Sequence, residues 1–232
     1  MEQRSVLPPG KLESRPLSAA AVARRLAAAP PGLRRPSGLR DAQEGLGRGD
    51  HDLNQDMHPA LPLVSAAVLV PIVTYPEGLT VLFTTRTPHL SAHAGQVSFP
   101  GGRVDPGDAD ESATALREAE EEVGLTPAQV RLIGRLDTYI TRTGFRIYPL
   151  VGLVVPPLDL RPDPREVADV FEVPLDFLID PANRRRDSRI YQERERFFWA
   201  IPYEDRYIWG ATAGMLVNLS ELLWSDPMGS PA

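Results

Sequence analysis

Cysteine is absent from the 232-residue chain. That rules out disulfides, zinc–thiolate centres and a cysteine nucleophile. Lysine is nearly absent as well: Lys11 stands alone and every other basic residue is arginine, a compositional bias that points to no function. No apolar run approaches the roughly 18 residues of a membrane-spanning helix. Residues 1–10 lack the apolar core of a secretion signal. Positive charge is not in excess either. The formal net charge of -6 argues against a general binder of nucleic acid or of anionic membrane. These absences lead us to expect a cytoplasmic protein with no nucleic-acid and no membrane partner. They leave a phosphate-bearing substrate open, because a bound metal ion reverses the local field.

What is present divides the chain in two. Residues 1–60 are rich in Pro, Gly, Ala and Arg and read as an N-terminal extension. It holds one possible helix, over 17–29, stopped by Pro30 and Pro31, and a loose stretch over 36–56. Residues 61–226 carry regular apolar patterning and read as the folded domain. Strands are expected over 64–73 and 79–86 around a turn at 75–78, then over 130–141, 145–155 and 167–173. Residues 87–102 read as loop, 110–123 as a helix closed by Gly124, and 174–179 as a short helix. A hairpin is expected from 189–191 and 197–201, and a last helix over 209–223. Strands interleaved with separated helices give an α/β fold, a mixed sheet with helices packed on it.

The sharpest local feature is Arg117-Glu118-Ala119-Glu120-Glu121-Glu122-Val123-Gly124-Leu125. On a helix, Glu118 and Glu122 share a face and Glu121 flanks them, with Glu111 on the same stripe. Glu120 points away, and Leu116, Ala119 and Val123 form an apolar stripe for the core. Like charges at this spacing repel, so something should compensate. Spacing alone leaves two readings: a solvated acidic face with Arg117 as counter-charge, or ligands for a hard divalent cation. Upstream, Phe99-Pro100-Gly101-Gly102 is either a plain turn or one that brings a backbone carbonyl to a ligand.

Together, Gly102 through Leu125 resembles the Nudix box, whose pattern is Gly, five residues, Glu, seven residues, then Arg-Glu-apolar-x-Glu-Glu-x-Gly-apolar. The second half fits fully. Counted back from Arg117, the expected glycine falls on Arg103 and the expected glutamate on Ala109. The loop is therefore one residue longer than the pattern, with Asp110 and Glu111 as the nearest acids. Leu82-Phe83-Thr84-Thr85-Arg86, Leu90, His93 and Gly95-Gln96-Val97-Ser98-Phe99-Pro100-Gly101-Gly102 are similar to the signature of coenzyme A pyrophosphatases. So are Asp105, Asp108, the Thr114–Ala119 run, Gly144-Phe145, Tyr148-Pro149 and the 207–213 segment. The resemblance spans residues 60–224.

That resemblance implies a Nudix-type α/β/α sandwich and metal-dependent hydrolysis of a small-molecule diphosphate. Coenzyme A or a derivative would give 4′-phosphopantetheine and adenosine 3′,5′-bisphosphate. Mg²⁺ or Mn²⁺ would be held by Glu118 and Glu122, with Glu121 and the Gly102 carbonyl as further ligands. Glu121 is also a candidate to orient the attacking water, and Arg117 would hold the carboxylates in place. Arg86 and His93 are weaker candidates for substrate contact. Glu166 and Glu172 are candidate bases from outside the box. Arg184-Arg185-Arg186 is a candidate for the 3′-phosphate or simply a solvated run, and Trp209 either stacks on adenine or belongs to the core. Ser98 and Phe99 read as packing. Two other outcomes stay open: another diphosphate substrate, such as ADP-ribose or a dinucleoside polyphosphate, and a non-catalytic ligand-binding module. The sequence leaves the oligomeric state, monomer or homodimer, open.

Overall fold

The computed structural model describes residues 17–28, 47–89 and 95–224. Its centre is strand β2 (Val64–Tyr75), which pairs antiparallel with β3 (Gly78–Arg86) and parallel with β8 (Phe145–Val154). Both faces of β2 are apolar, and its side chains alternate between two cores. Val70 and Ile72 enter one; Ala67, Leu69 and Val73 enter the other. Burial on both faces is why this strand reads as a continuous apolar run. The flanking strands repeat the alternation, with Val81, Phe83, Val151 and Leu153 on one side and Leu82, Leu150 and Val154 on the other.

Each core is closed by helices. Helix α2 (Glu111–Val123) covers one face with Ala115, Ala119 and Val123. Helix α4 (Ala211–Trp224) covers the other, alongside α1 (Ala19–Ala28) and α3 (Leu175–Ile179). The result is the expected α/β/α sandwich around a mixed sheet. Further strands complete the large sheet. β9 (Val167–Pro174) adds antiparallel to β3, and β6 (Val130–Arg135) to β8. β7 (Tyr139–Ile140) also pairs with β8, and β1 (Arg48–Gly49) pairs parallel with β7. A smaller antiparallel sheet holds β10 (Arg185–Tyr191), β11 (Arg194–Tyr203) and β12 (Arg206–Trp209).

Several expectations are corrected here. The stretch 87–102 contains two short strands, β4 (Val97–Ser98) on β3 and β5 (Gly101–Arg103) on β2, set where β2 and β3 diverge. The strand expected over 130–141 is two, β6 and β7, because the chain leaves the ladder at 136–138, where the Asp137 N–H bonds Asn218 Oδ1 at 2.9 Å instead of a strand neighbour. Trp209 ends β12 instead of opening the last helix, with Gly210 at φ 65° between them. On α2 the core-facing residue is Ala115, while Leu116 is half-buried. Residues 47–56 are folded, not loose. Buried Arg48 bonds Glu221 of α4 at 2.6 Å and Asp52 at 3.1 Å. Asn54 donates to the Phe197 carbonyl and accepts from its N–H, each at 2.9 Å. Polar partners far away in sequence hold this segment, and no local periodicity announces them. Residues 36–46 of that stretch lie outside the described residues.

Candidate active site

The box helix begins and ends where its residue types dictate. Asp110 caps it, its carboxylate accepting from the Ala113 N–H at 2.9 Å. Gly124 closes it in the left-handed region at φ 75°, its N–H bonded back into the last turn. Between these ends the apolar side packs on β2 and β5 and carries Glu118 and Glu122 against the Gly101-Gly102 strand.

Glu122 is the deepest acid, 5% exposed. One oxygen accepts from the Gly101 N–H at 3.2 Å, and the other lies 3.9 Å from Arg86 Nη1. Burial pushes its carboxyl up to about 8, against the opposing pull of the Gly101 N–H and of Arg86; the charges of Glu118 and Glu166 push the same way as burial. Glu118 is also raised, first by burial, although Arg117 Nη1 stands 3.0 Å from it. Its carboxylate lies directly on Gly102: a Cβ added there would come within 2.4 Å of Oε1. Only glycine leaves room for Glu118 at that place.

Arg117 organises the acids. Nε and Nη2 each lie 3.0 Å from an oxygen of Asp108, and Nη1 reaches Glu121 at 3.1 Å. Asp108 also accepts from the Thr114 hydroxyl at 2.7 Å. The two Arg117 bonds, with Thr114, hold its carboxyl well below the usual range. Asp108 stands six residues after Gly102, with five between them, the place of the box's first glutamate. The extra residue therefore lies between Asp108 and Arg117, not before. Glu111, the acid singled out by counting back from the helix, lies in the first turn of α2, and no side-chain bond joins it to Arg117. Counting forward from Gly102 would have found Asp108.

The remaining candidates separate cleanly. Arg86 Nε is buried without a hydrogen-bond partner. Glu121 is exposed, its side chain 60% accessible. Glu120 is exposed too. Glu166 is exposed beside Arg86: its carbonyl accepts from the N–H of Thr87, and its charge acts on both Glu118 and Glu122. Glu172 is bound instead by the hydroxyls of Tyr75, at 3.0 Å, and Thr80. Ser98 and Phe99 pack as read, Ser98 against the Thr84 hydroxyl and Phe99 against the Phe83 ring. Arg184, Arg185 and Arg186 lie over Trp199, Tyr207 and Phe197 in the smaller sheet. Trp209 is half-buried against Phe198, with Arg189 over its ring. His93 and Leu90 lie outside the described residues.

Among the described residues, no three carboxylates or imidazoles already converge at ligand distance. The donor chemistry nonetheless fits a hard cation. Two acids from one helix face are withdrawn from water, and both are raised by that burial. A divalent ion is the natural partner for such oxygens.

Comparison with known proteins agrees with this geometry. The family model for the NUDIX domain matches residues 65–193. A protein of Photorhabdus laumondii named "Uncharacterized Nudix hydrolase NudL" is 42% identical over 164 residues, 67% of this chain and 83% of its own length. The protein of that name from Escherichia coli K12 is 45% identical over 157 residues, covering 67% and 80%. Among solved structures, the Ap4A hydrolase of C. elegans in a binary complex overlaps 50% of this chain and 84% of its own. Its TM-score is 0.42 at 23% identity, too loose a match to bear on the site. No described helix is long and apolar enough to cross a membrane. The box acids on α2, the strand beneath them and the matched domain agree: the chain belongs to the Nudix hydrolase family.

Proposed function

We propose that this Nudix hydrolase cleaves the diphosphate of coenzyme A or a derivative, giving 4′-phosphopantetheine and adenosine 3′,5′-bisphosphate. The observation that carries the reading is the position of Arg86, Gly101 and Gly102, which belong to the stretch that resembles the coenzyme A pyrophosphatase signature and lie against the acid helix. Gly101 donates to Glu122, Gly102 underlies Glu118, and Arg86 stands beside Glu122. The residues that resemble a substrate signature and the residues that carry the box thus share one site.

In this reading Glu118 and Glu122 are the principal ligands of Mg²⁺ or Mn²⁺, with Glu121 and the Gly102 carbonyl as further oxygen donors. When bound, such a cation neutralises phosphate charge and makes water a better nucleophile. The chain's own groups do the rest. Arg117, fixed by Asp108, keeps Glu118 and Glu121 oriented. Arg86 offers its unpartnered Nε to a phosphate oxygen, a charge-assisted bond that the protein leaves unmade. Attack of water on one phosphorus breaks its bond to the bridging oxygen, which leaves with the other phosphate. The proton of the water goes to a carboxylate; we assign that role to Glu166, whose charge acts on Glu118 and Glu122, rather than to Glu172, whose carboxylate is bound by Tyr75 and Thr80. Residues 61–226 form the hydrolase domain in this proposal, and 1–60 an extension whose end, 47–57, is laid along it.

The test is a comparison of kcat/KM for coenzyme A and ADP-ribose with Mg²⁺ or Mn²⁺. Coenzyme A is expected to be the better substrate by at least about tenfold, a difference of ~1.4 kcal/mol in transition-state binding. Equal or reversed preference would assign the site to another diphosphate, and no turnover of any diphosphate would leave a binding module.

A further inference from the structure

Strand β10 is seven residues long and forms one edge of the three-stranded sheet, with no other strand on its outer side among the described residues. All but one of its residues are exposed. Ile190 is 72% and Tyr191 40% accessible. An edge strand without proline leaves its outer N–H and C=O groups as a template for another strand, and the charges of Arg185, Arg186, Asp187 and Arg189 restrict which strand can pair there. The neighbour of β10 in the sheet, β11, is anchored to the rest of the fold. Asp56 bonds Arg194 and Arg196 at 2.7 Å each, and Asn54 clamps Phe197. Gln192 and Glu193, at φ 50° and 59°, make the tight turn that fixes β10 on β11. Little entropy remains to be lost when such an edge acquires a partner.

We propose that β10 pairs antiparallel with β10 of a second copy, about a two-fold axis at Ser188, making one six-stranded sheet from two of three. The sequence of the strand, Arg185-Arg186-Asp187-Ser188-Arg189-Ile190-Tyr191, is complementary to itself in that register. Asp187 of each copy faces Arg189 of the other, twice. Arg185 faces Tyr191, a guanidinium against a ring, and the stem of Arg186 faces Ile190. No like charges oppose. Sliding by two residues one way sets Arg185 against Arg189 and Asp187 against itself. Sliding the other way sets Arg189 against itself. Like charges directly across a ladder are destabilising, so charge selects the Ser188-centred register. An isologous contact of this kind closes as a dimer and does not propagate.

The test is light scattering on the full chain over a concentration series, with thermal melts to confirm folding. Wild type is expected to rise from 25.5 kDa toward twice that mass. Asp187→Arg turns both cross-copy attractions into repulsions and is expected to weaken association about tenfold or more. The double variant Asp187→Arg with Arg189→Asp restores opposite charges and should return to within about threefold of wild type. Asp187 also bonds Arg185 and Tyr207 within its own copy, so Ile190→Lys, which sets a cation against Arg186 across the axis, is the independent variant. A wild-type mass of 25.5 kDa at every concentration overturns the proposal. So does dimerisation that neither Asp187→Arg nor Ile190→Lys weakens, or a double variant no tighter than the single one.

Discussion

Arg117 grips Asp108 with two nitrogens at once, Nε and Nη2 each 3.0 Å from a carboxylate oxygen. That fork leaves Nη1 shared between Glu118 and Glu121. Releasing Arg117 from Asp108 frees it to turn onto Glu118 and compete with a cation for the same oxygens. Asp108→Asn is therefore expected to weaken metal dependence about 10–100-fold, the usual effect of losing a residue that orients a ligand. Turnover at saturating metal should fall less. Asp108→Glu keeps the charge and should recover more activity than Asp108→Asn. Titration of activity with Mn²⁺ for the three proteins checks this; equal behaviour of the two variants would mean that Asp108 only shapes the loop.

Glu122 gives a pH dependence with a definite sign. Its folded carboxyl, raised to about 8, lies above the ordinary 4.5. The metal-free fold therefore favours the protonated form. This contribution is fully present below about 4.5 and is lost as pH rises through about 8, on the order of a few kcal/mol. Chelated wild type should lose melting temperature from pH 5 to 8.5 more steeply than Glu122→Gln, which cannot ionise. Metal binding below pH 8 should release a proton in wild type and less in the variant, measurable by calorimetry in buffers of different ionisation enthalpy. Parallel melting curves for the two proteins would place the strain elsewhere.

Outside the box, Glu166 and Glu172 are expected to behave differently. The carboxylate of Glu172 is already bound by Tyr75 and Thr80, whereas Glu166 is exposed beside Arg86 and the box acids. Glu166→Gln should lower kcat about 100-fold or more with little change in melting temperature. Glu172→Gln should leave kcat within a few-fold of wild type and lower the melting temperature instead, since it loosens two half-buried hydroxyl contacts. If Glu172→Gln lost turnover and Glu166→Gln did not, the assignment would be reversed.

Much of this is legible in the sequence. The alternation of β2 and β3, the capped helix with Gly124 after it, and the acids at helical spacing rest on local rules of period and capping, so they could be read from sequence. What could not be read depends on distant partners. Arg48 meets Glu221 across the fold, and nothing near residue 48 announces it. Spacing placed Glu118 and Glu122 on one face, but only packing shows that Glu122 is buried while Glu121 is exposed. Asp108 belongs to the resemblance, but its grip on Arg117 is not legible, because counting back from Arg117 crosses an inserted residue. Pattern alone runs the last helix back to Trp209 because the break at Gly210 is a single residue, and the strand that Trp209 ends exists only by pairing with β11.

The most direct measurement is steady-state coenzyme A hydrolysis over a Mn²⁺ titration for wild type, Glu122→Gln and Glu120→Gln. Glu122→Gln preserves shape and removes the buried charge, so turnover and metal dependence should collapse together. The expected loss is about a thousandfold or more, with the fold intact. Glu120, exposed away from Glu118 and Glu122, should tolerate the same change with nearly full activity. Near-wild-type turnover by Glu122→Gln, or a dead Glu120→Gln, would contradict the account.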